Sequence, residues 1–187
     1  MPAMQRDLDK MRRRPFFFPL VLPVLLFIAL VAAAAWLFDA RATTVVFVVR
    51  HAEVEAGNDP DPPLSVQGRE RAARLATMLS KARPVRGLDV IFASEYRRAH
   101  QTVTPLSETL ALPVNVVPTA TWAELAKRIT RDHRGEYVLV AGNTNNIPQL
   151  VQALSGESVT LDEDDYDTMF MVFVPQVSKT KVVRLRY

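Results

Sequence analysis

Three short segments of this 187-residue chain carry side chains suited to gripping and attacking a phosphoryl group. Arg50 and His51 directly follow Thr43 to Val49, a β-branched run with no polar face. Such a run reads as a buried parallel strand. A guanidinium and an imidazole therefore sit together at one strand end. Ser94 to Thr102 holds Arg97 and Arg98 at a second strand-to-helix junction. Gly142-Asn143 closes a third apolar run, Tyr137 to Ala141. In an open α/β sheet, ligands bind beyond the carboxyl ends of the strands, so the three segments can meet there. Two arginines grip a phosphoryl group with forked hydrogen bonds. A neutral imidazole between them attacks phosphorus and is transiently phosphorylated.

The elements that must position these groups alternate. Strands are expected at 43–49, 89–93, 114–117, 137–141, 169–174 and 182–186. Helices are expected from Ser65 to about Lys81, over Glu95 to Leu110 with Pro105 a kink or break, from a Thr121-x-x-Glu124 capping box to about Asp132, and over 146–154. The fold class is α/β: a three-layer, mostly parallel sheet with helices on both faces and an antiparallel end, preceded by one N-terminal transmembrane helix. No internal repeat is present.

Composition bounds the chemistry. Zero cysteines exclude a thiol nucleophile, a disulfide scaffold and a Cys-ligated metal. The net charge of +3 resides in residues 1–42, which hold six basic and three acidic groups; residues 43–187 hold 17 of each. The folded domain thus lacks the basic footprint of a nucleic-acid binder.

Phe16 to Phe38 is a run of 23 residues without a charge. That suffices to span a bilayer as a helix. Arg12, Arg13 and Arg14 precede it, so the positive-inside bias holds residues 1–15 in the cytoplasm. The expected organisation is a basic N-terminus at 1–15, an anchor or uncleaved signal at 16–38, and a domain at 43–187. The domain then faces outward from the cytoplasmic membrane, periplasmic or extracellular. The rival reading is export after cleavage near Ala42, since Ala40-Arg41-Ala42 fits a small-x-small site. A buried core helix is disfavoured, because Pro15 precedes and Pro19 and Pro23 punctuate a run with no polar face.

The motifs resemble the histidine phosphatase superfamily, with its phosphoglycerate mutase-like fold. Val48-Val49-Arg50-His51-Ala52-Glu53 is similar to that family's arginine–histidine signature. Ser94-x-x-x-Arg98-Ala99-x-x-Thr102 is similar to the signature that carries a second phosphate-binding arginine. Pro63-Leu64-Ser65-x-x-Gly68 resembles the start of its first helix, and Tyr166-Asp167-x-Met169-Phe170 with Leu185-Arg186-Tyr187 resembles the tail of small members. The match covers about residues 44–187.

The resemblance implies phosphomonoester hydrolysis through a phosphohistidine, as in a histidine acid phosphatase-type hydrolase. His51 is then the nucleophile, Arg50 and Arg98 balance charge, and no metal or nucleotide cofactor is needed. The expected partner is a phosphorylated small molecule or a phosphoprotein. Asn143 stands where relatives carry a second histidine; it completes the phosphate-binding set, or is a turn residue. Losing one preorganised donor typically costs about 10²–10³ in rate. The alternative is therefore a non-catalytic protein that binds a phosphorylated ligand. Glu53 is a candidate general acid, or else a loop partner of a surface arginine. Glu124 lies near where many relatives place the proton donor, and is favoured as a cap instead. His100 is expected to point away from the face of Arg98, and His133 to lie at the opposite end of the sheet.

Overall fold

The computed structural model describes residues 18–39, 43–81, 87–176 and 178–187. The chain divides into two compact units, 1–40 and 41–187. In the first unit, α1 (Phe18–Asp39) is a 22-residue helix that carries Pro23 inside it. Its side chains are described over 21–37 and are exposed, Leu22 by 74% and Phe27 by 68%. Among the described residues no helix is long and apolar enough to cross a membrane. The expected span at 16–38 begins outside the described residues, as do the basic segment 1–15 and the Ala40-Arg41-Ala42 sequence.

The second unit follows the expected alternation. Its elements are β1 (Thr43–Arg50), α2 (Val66–Lys81), β2 (Val90–Ser94), α3 (Arg97–Leu110), β3 (Val114–Val117), α4 (Trp122–Asp132), β4 (Tyr137–Gly142), α5 (Ile147–Ser155), β5 (Thr168–Pro175) and β6 (Lys181–Arg186). The six strands form one sheet in the order β3-β2-β4-β1-β5-β6. The first four in that order are parallel, β5 runs antiparallel to β1, and β6 runs antiparallel to β5.

Successive strand residues point to opposite faces, and both faces of β1 are buried. Val46 and Val48 join Phe92, Trp122, Leu125, Ile129 and Leu150 in one core, under α4 and α5. Val45, Phe47 and Val49 join Leu75, Leu79, Val103 and Leu106 in the other, under α2 and α3. This accounts for a strand with no polar face: there is no solvent on either side of it. α3 runs unbroken through Pro105. The backbone hydrogen bond that proline forfeits there is offset by burial of Val103 and Leu106 on the same helix.

The Thr121-x-x-Glu124 capping box does not form. Thr121 makes no side-chain cap bond, and its hydroxyl donates to the Pro118 carbonyl at 2.9 Å. A 3₁₀ turn, Thr119–Thr121, runs straight into α4 and turns the hydroxyl backward. α2 starts as expected: Ser65 Oγ accepts the Gly68 N–H at 3.1 Å. Gly68 is buried, and a Cβ there would lie 2.1 Å from the Glu53 carbonyl oxygen. The helix is thus seated on the loop that leaves β1.

Gly68→Ala should lower the stability of the 41–187 unit by about 1–3 kcal/mol through overpacking. Helix propensity alone favours alanine by about 1 kcal/mol, so a net loss reports the clash. Urea unfolding measures it; an unchanged or raised midpoint would mean that α2 is not seated on Glu53.

Candidate active site

The carboxyl ends of β1 and β4 lie side by side, with Arg50 paired to Gly142. The ladder continues one step further, because the His51 N–H donates to the Gly142 carbonyl at 2.9 Å. The chain then leaves the sheet and is caught by α3. The Ala52 N–H donates to Thr102 Oγ1 at 2.9 Å, and the Thr102 hydroxyl donates to the Arg98 carbonyl at 2.8 Å. One buried hydroxyl thereby fixes the residue after His51 to the residue that carries the second arginine.

His51 is 6% exposed. Its Nδ1 lies 2.9 Å from the Ala52 carbonyl, which can only accept, so Nδ1 carries the proton and Nε2 keeps its lone pair. Burial is the largest influence on the ring and pushes its pKa down. The carbonyl bond works against this, the positive charges of Arg50 and Arg98 add to it, and Asp61 opposes them. The outcome is a value of about 4, so the imidazole is neutral at neutral pH.

Both arginines converge on the same mouth. Arg50 is 7% exposed and stacks on the Tyr166 ring, 4.2 Å from its centroid. Its Nη1 donates to the Asp162 carbonyl at 3.2 Å and to the Glu163 carbonyl, while its Nε has no partner. Arg98 stacks on Tyr96 at 4.4 Å and meets Asp61 at 3.5 Å; its Nε is likewise buried without a partner. Arg98, not the exposed Arg97, is the inward residue. Arg97 offers only its backbone N–H, to Asp61 at 2.9 Å.

Asn143 follows the end of β4, and its backbone N–H donates to Asn146 Oδ1 at 2.7 Å. Asn143 Oδ1 and Asn146 Nδ2 are both buried and unpaired. Gly142 must be glycine, since a Cβ would strike the Trp122 ring at 2.3 Å and Asn146 Oδ1 at 2.7 Å. Together these groups line a cavity of about 570 Å³ whose walls include Arg50, His51, Arg98, Asn143, Asn146 and Tyr166. It holds four buried polar atoms without partners, on Arg50, Arg98, Asn143 and Asn146. Three of these, Arg50 Nε, Arg98 Nε and Asn146 Nδ2, are donors, and a buried donor is costly unless something accepts from it, so the cavity suits a small group rich in acceptor oxygens; Asn143 Oδ1 is an acceptor.

Several sequence expectations fall elsewhere. Glu53 does not line the cavity. Arg71 of α2 grips its carboxylate through Nε at 2.9 Å and Nη2 at 2.5 Å. Burial works to raise the Glu53 carboxyl, but the Arg71 bonds outweigh it and hold the group below the usual carboxylate range. Glu53 is thus the loop partner of an arginine, and a carboxyl held ionised is a poor proton donor. Glu124 lines a different recess, beside Lys127 and Arg131. His100 is absent from the cavity wall. His133 bonds to Glu136 at 2.7 Å, and its carbonyl accepts from Thr44 at the start of β1, the far end of the sheet. Sequence reasoning missed Asp61, Tyr96 and Asn146. The first two were legible only as loop and motif filler, because their roles come from meeting Arg98.

The sequence profile of the histidine phosphatase superfamily (branch 1) matches residues 46–161. Among curated proteins none matches the chain by sequence. Solved structures share the fold at low identity. The protein histidine phosphatase SixA, complexed with tungstate, is 22% identical with a TM-score of 0.59, over 76% of this chain and 96% of that one. A mycobacterial glucosyl-3-phosphoglycerate phosphatase is 16% identical with a TM-score of 0.53, over 75% and 97%. A structure described as mycobacterial hydrolase 1 is 15% identical with a TM-score of 0.56, over 78% and 99%.

The state of His51 is directly measurable. Its folded pKa is below the unfolded 6.5, so its stability contribution is full above 6.5 and is lost as pH falls towards about 4. The loss attributable to this ring should approach about 3 kcal/mol, at 1.36 kcal/mol per unit. NMR titration of the imidazole should show a midpoint near 4, and His51→Asn should remove this part of the acid destabilisation. A midpoint near 6.5 would overturn the neutral assignment.

Proposed function

Because the chain belongs to the histidine phosphatase superfamily, we propose that it hydrolyses phosphomonoesters through a phosphohistidine on His51. The observation that carries this reading is the buried, neutral imidazole with Nδ1–H held by the Ala52 carbonyl, set between two arginines. Nε2 attacks phosphorus and the ester oxygen leaves. Water then attacks the phosphorus of the phosphohistidine and restores the ring. The free Nε atoms of Arg50 and Arg98 meet the equatorial oxygens, whose charge is spread in the transition state. Asn143 takes part with its amide turned to present N–H to phosphate, a neutral donor where a cation would bind more strongly.

The second reading is a phospho-ligand-binding protein that turns its ligand over slowly or not at all. The unpaired Asn143 in the cavity favours it, because relatives carry a second histidine at the matching place.

The domain acts on the outer side of the cytoplasmic membrane, anchored by residues 16–38. This rests on the charge-free run, the arginines before it and the apolar, exposed side chains of α1. Release of the domain by cleavage near Ala42 is the alternative, with the same orientation of export.

The 41–187 fragment should release phosphate from a generic phosphomonoester, and His51→Ala should abolish turnover by about 10³-fold or more. Brief exposure to substrate should leave acid-labile, base-stable phosphate on His51, read by mass spectrometry. Equal activity in the two proteins would sink the enzymatic reading. Asn143→His should raise kcat by roughly 10-fold or more, towards the 10²-fold scale of a lost oxyanion donor. An unchanged or lower rate would remove Asn143 from the phosphate-binding set. The full chain should remain in the membrane fraction after alkaline extraction. Leu26→Arg, at a cost of about 2.5–3.5 kcal/mol in mid-bilayer, should weaken that retention. Recovery of the unaltered full chain in the soluble fraction would defeat the anchor.

A further inference from the structure

The segment 162–167 carries five carboxylates and one tyrosine, and they divide into two sets. Asp165 pairs with Arg184 and, at 3.9 Å, with Arg186; Asp167 pairs with Arg186 at 3.6 Å. Those two fasten the loop to β6. Glu163 and Asp164 instead line the phosphoryl cavity, and among the described residues neither carboxylate has an ionic or hydrogen-bond partner. Their placement is fixed from below. Arg50 holds the backbone carbonyls of Asp162 and Glu163 and stacks on Tyr166, so the arginine that faces phosphate also pins the loop at the mouth.

The charge at the mouth is therefore unusual for a site that takes an anion. Beside its two guanidinium groups stand three acidic residues: Asp61, paired with Arg98, and the exposed Glu163 and Asp164 among the residues that line the cavity. His51 adds no charge near neutrality. The buried Nε of Arg50 and Nδ2 of Asn146 still require an oxygen-rich group at the bottom of the cavity. One dianionic phosphoryl group meets those donors, but further negative charge on the same ligand meets the acidic residues at the mouth, with no further Lys or Arg among the residues that line the cavity.

We infer that Glu163 and Asp164 select the substrate: the site takes small phosphomonoesters that carry an ammonium group close to the phosphate, and disfavours ligands with a second anionic group. This rests on the proposed phosphoryl-binding role of Arg50 and Arg98. Sugar bisphosphates and polyphosphorylated ligands are disfavoured by the same charges that attract an amino alcohol phosphate.

Three near-isosteric phosphonates test this without any dependence on turnover, since their C–P bond is not a phosphatase substrate. They are 2-aminoethylphosphonate, propylphosphonate and 3-phosphonopropanoate, titrated calorimetrically into the full chain in uncharged detergent, in mildly alkaline low-salt buffer. Affinity should fall in that order, by about 3- to 10-fold per step, as expected for charges interacting across a partly screened mouth. The doubly substituted chain E163Q/D164N should bind all three within about twofold of one another. Equal binding of the three by the unaltered chain, or the reverse order, overturns the inference and leaves the phosphoryl-site reading standing. Retention of the full order by E163Q/D164N overturns the role of these two residues. Binding of none of the three removes the phosphoryl-site reading and the inference with it.

Discussion

Withdrawal of water from one imidazole is the constraint from which the site is built. His51 lies where β1 ends, between two sheet faces that are both covered by helices. That position costs the ring its proton and leaves it with a single hydrogen-bond partner for Nδ1. The core that stabilises the domain and the unprotonated state of Nε2 therefore have one source. Arg50, His51 and Asn143 reach the same cavity because β1 and β4 are adjacent and in register, and Arg98 joins through the Thr102 hydroxyl.

Arg50 couples this chemistry to the surface. A guanidinium has five donors, and Arg50 spends its terminal nitrogens on loop carbonyls and the Tyr166 hydroxyl. The floor of the cavity and its rim are thus joined by one side chain. Asp61 plays a similar part for Arg98, since it also accepts the Arg97 N–H and so ties the loop after β1 to the first turn of α3.

Much of this was legible in the sequence, for identifiable physical reasons. A β-branched run with no polar face has few places to go except a doubly covered strand, so β1 and β4 and their ends were readable to within a residue. The spacing from Arg98 to Thr102 is one helical turn, which is why the hydroxyl reaches the Arg98 carbonyl. Glu53 was not legible. Once the chain leaves the strand after Arg50, alternation no longer says where a side chain points, and only packing of α2 brings Arg71 to it. Thr121 misled for a related reason: a capping pattern assumes an extended entry, and here a 3₁₀ turn precedes the helix. The two sets of carboxylates in 162–167 were indistinguishable as sequence, because what separates them is the reach of Arg184 and Arg186 from β6.

The low proton affinity of His51 has a consequence for how the domain senses its surroundings. Guanidinium groups keep their charge at any pH that a folded protein meets, and the buried ring gains no proton until acidity approaches pH 4. The three groups at the cavity floor thus form a constant-charge receptor across the neutral range. A phosphate monoester, by contrast, exchanges its second proton near pH 6. Between weakly acidic and neutral surroundings such a ligand changes state while these three groups do not, so a pH response of its binding there would originate in the ligand.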